Sequence, residues 1–324
     1  MSSFWLEKAE GLRRKAEERE ILRSDLETVA SWPVGEISAL FAAADAVRRR
    51  FKGNTVAACS IMNIKCGGCE QDCVFCAQSA HNRAAVEVRG LSSAEEMVAR
   101  QRASLSRGLA LGVVSSGGAL SEEEVEVVCA AARAGAGPLH ASLGMLPAGA
   151  LRRLREAGVT MYHHNLETGR SFFPRVCTTH SYEDRVATVR RAREAGLRVC
   201  SGGIFGLGES WGDRIDLCEE LRALDVDSIP LNFLVPVEGT RVSPPQEGPL
   251  EFLKIVSLFR LAHPDRDIKV CGGRQHHLRS LQPLMFFAGA NGYISGDYLT
   301  TRGSPFDEDD RMIADLGLVK APPR

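Results

Sequence analysis

PLHASLGMLPAGALRRLREAGVTMYHHN, residues 138–165, holds a strand, a helix and a second strand in one run. PLHASL (138–143) and VTMYHHN (159–165) are short apolar runs, and residues 147–157 between them carry a helical period. Gly158 suits the C-cap of that helix. Two strands joined through a helix pair in parallel by a right-handed crossover. The pattern continues outward in both directions. Further strands are expected at TVAACSI (55–61), LALGVVSS (109–116), LRVCSGGI (197–204), DSIPLNF (227–233), DIKVCG (267–272) and NGYIS (291–295). Helices are expected at about 93–106, 121–134, 181–195, 212–224, 249–262 and 278–288, with Gly135 and Gly196 as further C-caps. Eight such alternations predict an α/β chain closed into a (β/α)8 TIM-type barrel; a doubly wound sheet is the alternative. Residues 1–50 read as an N-terminal helical extension, with Trp5, Leu6, Leu12, Ile21, Leu22 and Leu26 as core contacts. The barrel is expected over 51–317 and a C-terminal tail over 318–324. PVEGTRVSPPQEGP (236–249) reads as a loop rather than a linker.

The 324 residues carry a formal net charge of -1, and this balance speaks against nucleic acid or an anionic membrane as the main partner. Neither a signal-peptide core nor a membrane-length apolar run is present, so a cytoplasmic location is expected. In that compartment ten cysteines do not form a disulfide framework. Four of them fall between Cys66 and Cys76, and such clustering points to metal.

The cluster reads CGGCEQDCVFCAQS and contains Cys69-x3-Cys73-x2-Cys76. Three thiolates this close can hold three corners of one [4Fe-4S] cluster and leave the fourth iron open to a substrate. The motif follows the first expected strand, where a barrel places its catalytic loops. Zinc held by Cys66, Cys69, Cys73 and Cys76 is a rival, but its cysteine pairs are normally separated by a dozen or more residues. A ferredoxin-type site is a second rival, with a different order of spacings and a following proline.

With the segments CEQDCVFCAQSAHN, YHHNLET, CTTHSYEDR, VCSGGIFGLGES, SIPLNFLVPVEGT and FFAGANGYISGDYLTT in one order, the chain resembles the biotin synthase family of radical S-adenosylmethionine (SAM) enzymes. The resemblance implies a barrel, usually a homodimer, that inserts sulfur into dethiobiotin. It implies SAM at the [4Fe-4S] cluster, a reductant such as flavodoxin or ferredoxin, and an auxiliary iron-sulfur cluster as sulfur source. Asn165 and Glu167 match positions that contact SAM and substrate, and Arg185 matches the residue that holds the SAM carboxylate. Asn232 matches a substrate-side polar group. His163 stands where the family often has Asn, and Glu167 where it often has Asp. Phe75 matches the aromatic that packs on the adenine. GGIFGLGES is expected to offer its backbone to SAM. A cofactor-maturation enzyme of the same set is the alternative within the superfamily.

The auxiliary site departs from the family's better-known pattern of three cysteines and an arginine around a [2Fe-2S] cluster. Of that set only Cys200 is present; Gly112, His140 and Lys269 occupy the other positions. Cys59, Cys271 and Cys177 are the expected substitutes, with His140 as alternate fourth ligand, and a four-iron cluster is an alternative to two irons. Cys271 shares a strand face with Lys269, two residues before it. A joint role requires Cys59 and Cys271 on one side of the barrel. The competing reading makes them ordinary buried thiols. Cys129 and Cys218 fall in helical periods and are expected in helix cores, and Cys66 is expected to be a spectator.

Overall fold

The computed structural model describes residues 2–298 and 303–324. The end of the FFAGANGYISGDYLTT segment, residues 299–301, lies outside the described residues. The strands are β1 (Thr55–Lys65), β2 (Ala110–Ser115), β3 (Leu139–Ser142), β4 (Val159–His163), β5 (Arg198–Cys200), β6 (Gly203–Phe205), β7 (Ser228–Phe233), β8 (Asp267–Val270), β9 (Gly292–Ile294) and β10 (Val319–Lys320). Every pairing is parallel, in the order β1-β2-β3-β4-β5-β7-β8-β9. β9 then pairs back onto β1, with Ala57 opposite Gly292 and Cys59 opposite Ile294. That closure excludes the doubly wound alternative, whose sheet has two edges, and confirms the (β/α)8 barrel.

One expected strand is two. LRVCSGGI breaks after Cys200, where β5 pairs Cys200 with Ser228, and pairing resumes at Gly203 opposite Leu231. Pro230 has no N–H to give the ladder, and Gly202 packs so tightly on it that a Cβ would lie 2.0 Å from the Pro230 carbonyl oxygen.

The outer helices follow α1 (Ser3–Glu18), α2 (Arg23–Ala30) and α3 (Ile37–Lys52) of the extension. They are α4 (Ala94–Leu105), α5 (Glu122–Ala134), α6 (Ala148–Ala157), α7 (Tyr182–Glu194), α8 (Trp211–Ala223) and α9 (Pro249–Ala262). Short helices α10 (Arg274–Leu278), α11 (Leu284–Phe287) and α12 (Phe306–Asp315) complete the chain. Capping boxes start four of the barrel helices, from Ser93, Ser121, Ser181 and Ser210 to acidic partners three residues on. Gly158 ends α6 in the left-handed region, φ 109°, as expected of a C-cap. Gly135 differs: its φ is -75°, and the glycine instead admits the Gln101 side chain, whose Oε1 would meet a Cβ at 2.1 Å. No described helix is long and apolar enough to cross a membrane.

In the extension Leu12, Ile21 and Leu26 are buried, and Trp5 packs its ring on Trp32 at 4.6 Å. Leu6 and Leu22 do not reach the core and are 46% and 61% exposed. Leu22 stands at the entry to α2, where its N–H meets the Asp25 carboxylate and its side chain is left outside. Residues beyond 317 are more than a tail, because Val319 and Lys320 extend the sheet beside Thr55 and Val56. The chain then runs to Arg324, whose carbonyl accepts a hydrogen bond from His140 Nε2 at 2.8 Å.

Candidate active site

The loop that follows β1 is folded on itself by its backbone. Cys69 N–H donates to Gln78 O at 3.0 Å, and Ala80 N–H donates to Cys69 O at 2.8 Å. Asn82 Nδ2 closes the loop on the carbonyls of Cys73 (3.1 Å) and Cys76 (2.9 Å). Cys69, Cys73, Cys76 and Phe75 thereby line one cavity of about 420 Å³ at the C-terminal end of the barrel. Cys66 stays outside that lining, bridged by its backbone to Arg89. The four-cysteine zinc reading therefore loses one of its ligands, while three convergent thiols suit the open [4Fe-4S] arrangement.

A second part of the cavity wall comes from β4 and the segment after it. His163, Asn165 and Glu167 line the cavity with Arg185 from α7. Arg185 is buried rather than a solvated surface charge. Its Nη1 donates to the Asn165 carbonyl (2.9 Å) and to Glu167 Oε1 (3.3 Å), and its Nε to His180 Nε2 (2.9 Å). Nη2 points to Cys73 Sγ at 4.0 Å. The Asn165 amide donates to the other Glu167 oxygen at 3.3 Å. Burial raises the Glu167 carboxyl pKa against the opposing pull of Arg185 and Asn165. Glu167 also sits at φ 71°, a conformation that costs a non-glycine residue about 1–3 kcal/mol. The start of β6 holds it there, through Ile204 N–H on the Glu167 carbonyl at 2.8 Å.

Asn232 lines the same cavity from β7. Its Oδ1 accepts from Gly272 N–H (2.9 Å) and its Nδ2 donates to Gly203 O (3.1 Å), so it ties neighbouring strands and keeps one amide hydrogen for a ligand. The GGIFGLGES loop contributes less than expected. Its Gly206 and Leu207 N–H groups are consumed by Glu209, itself paired with Arg214, and of this loop Ile204 reaches the cavity. His180, Gln71 and the Phe173 ring under Arg185 were missed from sequence, because a loop histidine and a helix-flanking aromatic carry no spacing signal.

A second group of cysteines lies inside the barrel. Cys59 on β1, Cys200 at the end of β5 and Cys271 just after β8 are each at most 3% exposed. β9 separates β1 from β8, so Cys59 and Cys271 are on one side of the barrel, as a joint role requires. Lys269 stands among them. Burial opposes its charge, but Cys59, Cys200, Asp267 and Cys271 outweigh this and raise its pKa. Burial pushes the Cys200 thiol up to about 11, and burial with Cys59 and Cys200 pushes Cys271 up well above the ordinary thiol range. The group thus gathers thiols that a multi-iron site would deprotonate around a buried cation that would offset their charge. The His140 and His163 rings lie nearby, centroids 5.3 Å apart and planes tilted by 47°, and His163 is in register with Cys200. Burial, then Lys269, lowers the His140 pKa to about 3, so the ring is neutral. Its Nε2–H is spent on the Arg324 carbonyl and its Nδ1 lone pair has no partner, as has His163 Nε2.

Cys177 is not in this group, which corrects its expected place among the auxiliary ligands. The segment after β4 folds over the cysteine loop, where Asp72 accepts from Thr178 N–H (2.8 Å) and Thr179 N–H (3.2 Å). Cys177 is thereby set against Cys73 and His180. Hydrogen bonding from Cys73 first, against burial and with help from His180, draws the Cys177 thiol down to about 4. Cys129 and Cys218 lie fully buried in α5 and α8, as expected of helix-core residues.

Comparison with known proteins decides the family. The Radical SAM superfamily model matches residues 63–221, and the Biotin and Thiamin Synthesis associated domain model matches 230–319. Biotin synthase of Nitratidesulfovibrio vulgaris is 48% identical over 310 residues, 91% of this chain and 85% of that protein. The chain belongs to the biotin synthase family. Biotin synthase of Geobacter sulfurreducens is 51% identical over 291 residues, 88% of each chain. Among solved structures, methylornithine synthase superposes with a TM-score of 0.83 over 96% of this chain and 97% of its own, at 22% identity. That likeness bears on the fold alone.

Proposed function

We propose that this chain inserts sulfur into dethiobiotin to form biotin, using SAM and two iron-sulfur clusters. One observation carries the reading: three cluster thiols and a buried arginine-carboxylate pair share a cavity above a second, enclosed group of three cysteines. Cys69, Cys73 and Cys76 would hold the [4Fe-4S] cluster. When bound, the [4Fe-4S] cluster would supply the electron for SAM cleavage and the auxiliary cluster would supply the sulfur. The protein's own residues bind and orient. Arg185 pairs with the SAM carboxylate, Glu167 and Asn165 take the polar groups beside it, and Phe75 covers the adenine. Asn232 and His163 face dethiobiotin between the two cysteine groups. Cys59, Cys200 and Cys271 would hold the auxiliary cluster, with the free Nδ1 of His140 as fourth ligand and Lys269 balancing charge. A homodimer in the cytoplasm, fed by flavodoxin or ferredoxin, completes the proposal. The chain reconstituted without oxygen is expected to turn dethiobiotin into biotin with SAM and a reductant. SAM cleavage that dethiobiotin neither accelerates nor couples to sulfur gain would transfer the chain to the cofactor-maturation reading.

Arg185→Lys tests the SAM pocket. A lysine keeps the charge and loses the planar fork. Loss of one charge-assisted contact, about 1.5–3 kcal/mol, is expected to weaken SAM binding roughly tenfold or more. Iron content should stay at the unaltered value. Equal SAM affinity in the variant, read by equilibrium binding, would remove Arg185 from the pocket.

A further inference from the structure

Cys177 has no part in either cluster as assigned above, yet it is held with care. Its segment is laced to the cysteine loop by Val74 N–H donating to the Val176 carbonyl at 2.9 Å. The ligating atoms of Cys73, Cys177 and His180 consequently lie within 4.8 Å of one another. Arg185 settles the state of the histidine. Its Nε–H donates to His180 Nε2 at 2.9 Å. A guanidinium carries donors only, so Nε2 holds the lone pair and Nδ1 the proton. Nδ1–H is then shared between Gln71 Oε1 (2.7 Å) and Cys177 Sγ (3.2 Å). A proton at Nδ1 disfavours a metal ion between these groups and favours a thiol that is held and aimed. Cys73 lines the cavity, whereas Cys177 is buried behind it.

We infer that Cys177 is the resolving thiol of Cys73 in the cluster-free protein, forming a reversible Cys73–Cys177 disulfide when peroxide enters the empty cavity. Peroxide in the cavity reaches Cys73 rather than the more acidic Cys177, because of the two sulfurs only Cys73 lines it; as Cys73 gives up its proton and attacks, the O–O bond breaks, a sulfenic acid forms and one water leaves. The Cys177 sulfur then attacks the Cys73 sulfur. The S–O bond breaks, and its oxygen leaves as a second water with the remaining thiol proton. Two thiols have lost two electrons and two protons, and the peroxide has been reduced to water. Without a resolving thiol the next oxidation takes Cys73 to a sulfinic acid, which thiols do not reverse. The disulfide instead opens by exchange with a dithiol. Its use as a protected store of a ligand rests on the assignment of Cys73 to the [4Fe-4S] cluster.

The test uses cluster-free, fully reduced protein treated with a small excess of hydrogen peroxide without denaturant. Titratable thiols are expected to fall by two per chain. The peptide spanning Cys66–Cys76 should appear linked to the one carrying Cys177, with fragment ions placing the bond at Cys73. Dithiothreitol should restore both thiols and subsequent loading with iron and sulfide. In Cys177→Ser the same treatment should leave sulfinic acid on Cys73 and iron loading that dithiothreitol no longer restores. Never-oxidised Cys177→Ser should load iron as the unaltered chain does, which shows that it folds. A bond from Cys73 to Cys69 or Cys76, or full recovery of oxidised Cys177→Ser with dithiothreitol, overturns the inference. The linkage is read without iron, so its failure is distinct from a failure of the cluster assignment, which never-oxidised Cys73→Ala reads by its iron content.

Discussion

Replacing Cys73 with alanine is expected to abolish reductive SAM cleavage, bringing 5′-deoxyadenosine production down to the uncatalysed background. A [4Fe-4S] cluster with three protein thiolates has no spare ligand in its set. The nearest substitute is Cys177, but it is committed to Asp72, Thr179 and His180 at 3.1–3.3 Å. Recruiting it would cost the bonds by which Asp72 holds the Thr178–Thr179 turn over the cysteine loop. Removing Cys73 also leaves Arg185 without the sulfur at 4.0 Å, so the variant should lose part of its SAM affinity as well. The measurement is 5′-deoxyadenosine formed under dithionite after reconstitution, together with iron and sulfide per chain. Cleavage at the unaltered rate would show that Cys69 and Cys76 hold the cluster with another group, and Cys177 would be the first to examine.

Most of the barrel was legible because each strand is a short apolar run and each barrel helix begins or ends on a residue with its own local signal. Ser93, Ser121, Ser181 and Ser210 announce helix starts through bonds confined to four residues. What escaped was set by contacts between distant segments. The split of LRVCSGGI depends on Pro230 of the neighbouring strand, and no pattern within 197–204 reports that neighbour. That Cys69, Cys73 and Cys76 line one cavity was legible because their close spacing keeps them on one loop. Arg185 and Glu167 were reached through resemblance, since a helix arginine and a loop glutamate look alike on a surface and in a site. Cys177 was misplaced for a physical reason. Its partner Asp72 is about a hundred residues away, and the fold of one loop over another decides which group of cysteines it lies against. Cys59 and Cys271 were easier, because the closed order β8-β9-β1 brings their strands together whatever the loops do.

Cys271→Ala and Cys59→Ala are expected to separate the two halves of the chemistry, keeping SAM cleavage and losing biotin. Each mutation deletes a thiol from the enclosed group and leaves Cys69, Cys73 and Cys76 untouched. Both sites are buried, and alanine is slightly smaller than cysteine, so folding should survive with a modest loss of about 1 kcal/mol or little more. The electrostatic consequence is larger than the steric one. Asp267 favours the charged form of Lys269 against the cost of its burial, and Cys59, Cys200 and Cys271 add to this as thiolates, the form a bound cluster requires. With one thiolate gone, a bound cluster loses a bond to iron and Lys269 loses a counter-charge in the same step. Iron per chain should therefore fall to about that of the single radical SAM cluster, four atoms by its formula. 5′-Deoxyadenosine should still form, and biotin should not. Lys269→Met separates cation from ligand: if Lys269 only balances charge, that variant should load auxiliary iron poorly yet still contain some, whereas the cysteine variants contain none. Biotin formation by Cys271→Ala at the unaltered rate would return Cys271 to the ordinary buried thiols and leave Cys200 without the partners assigned to it.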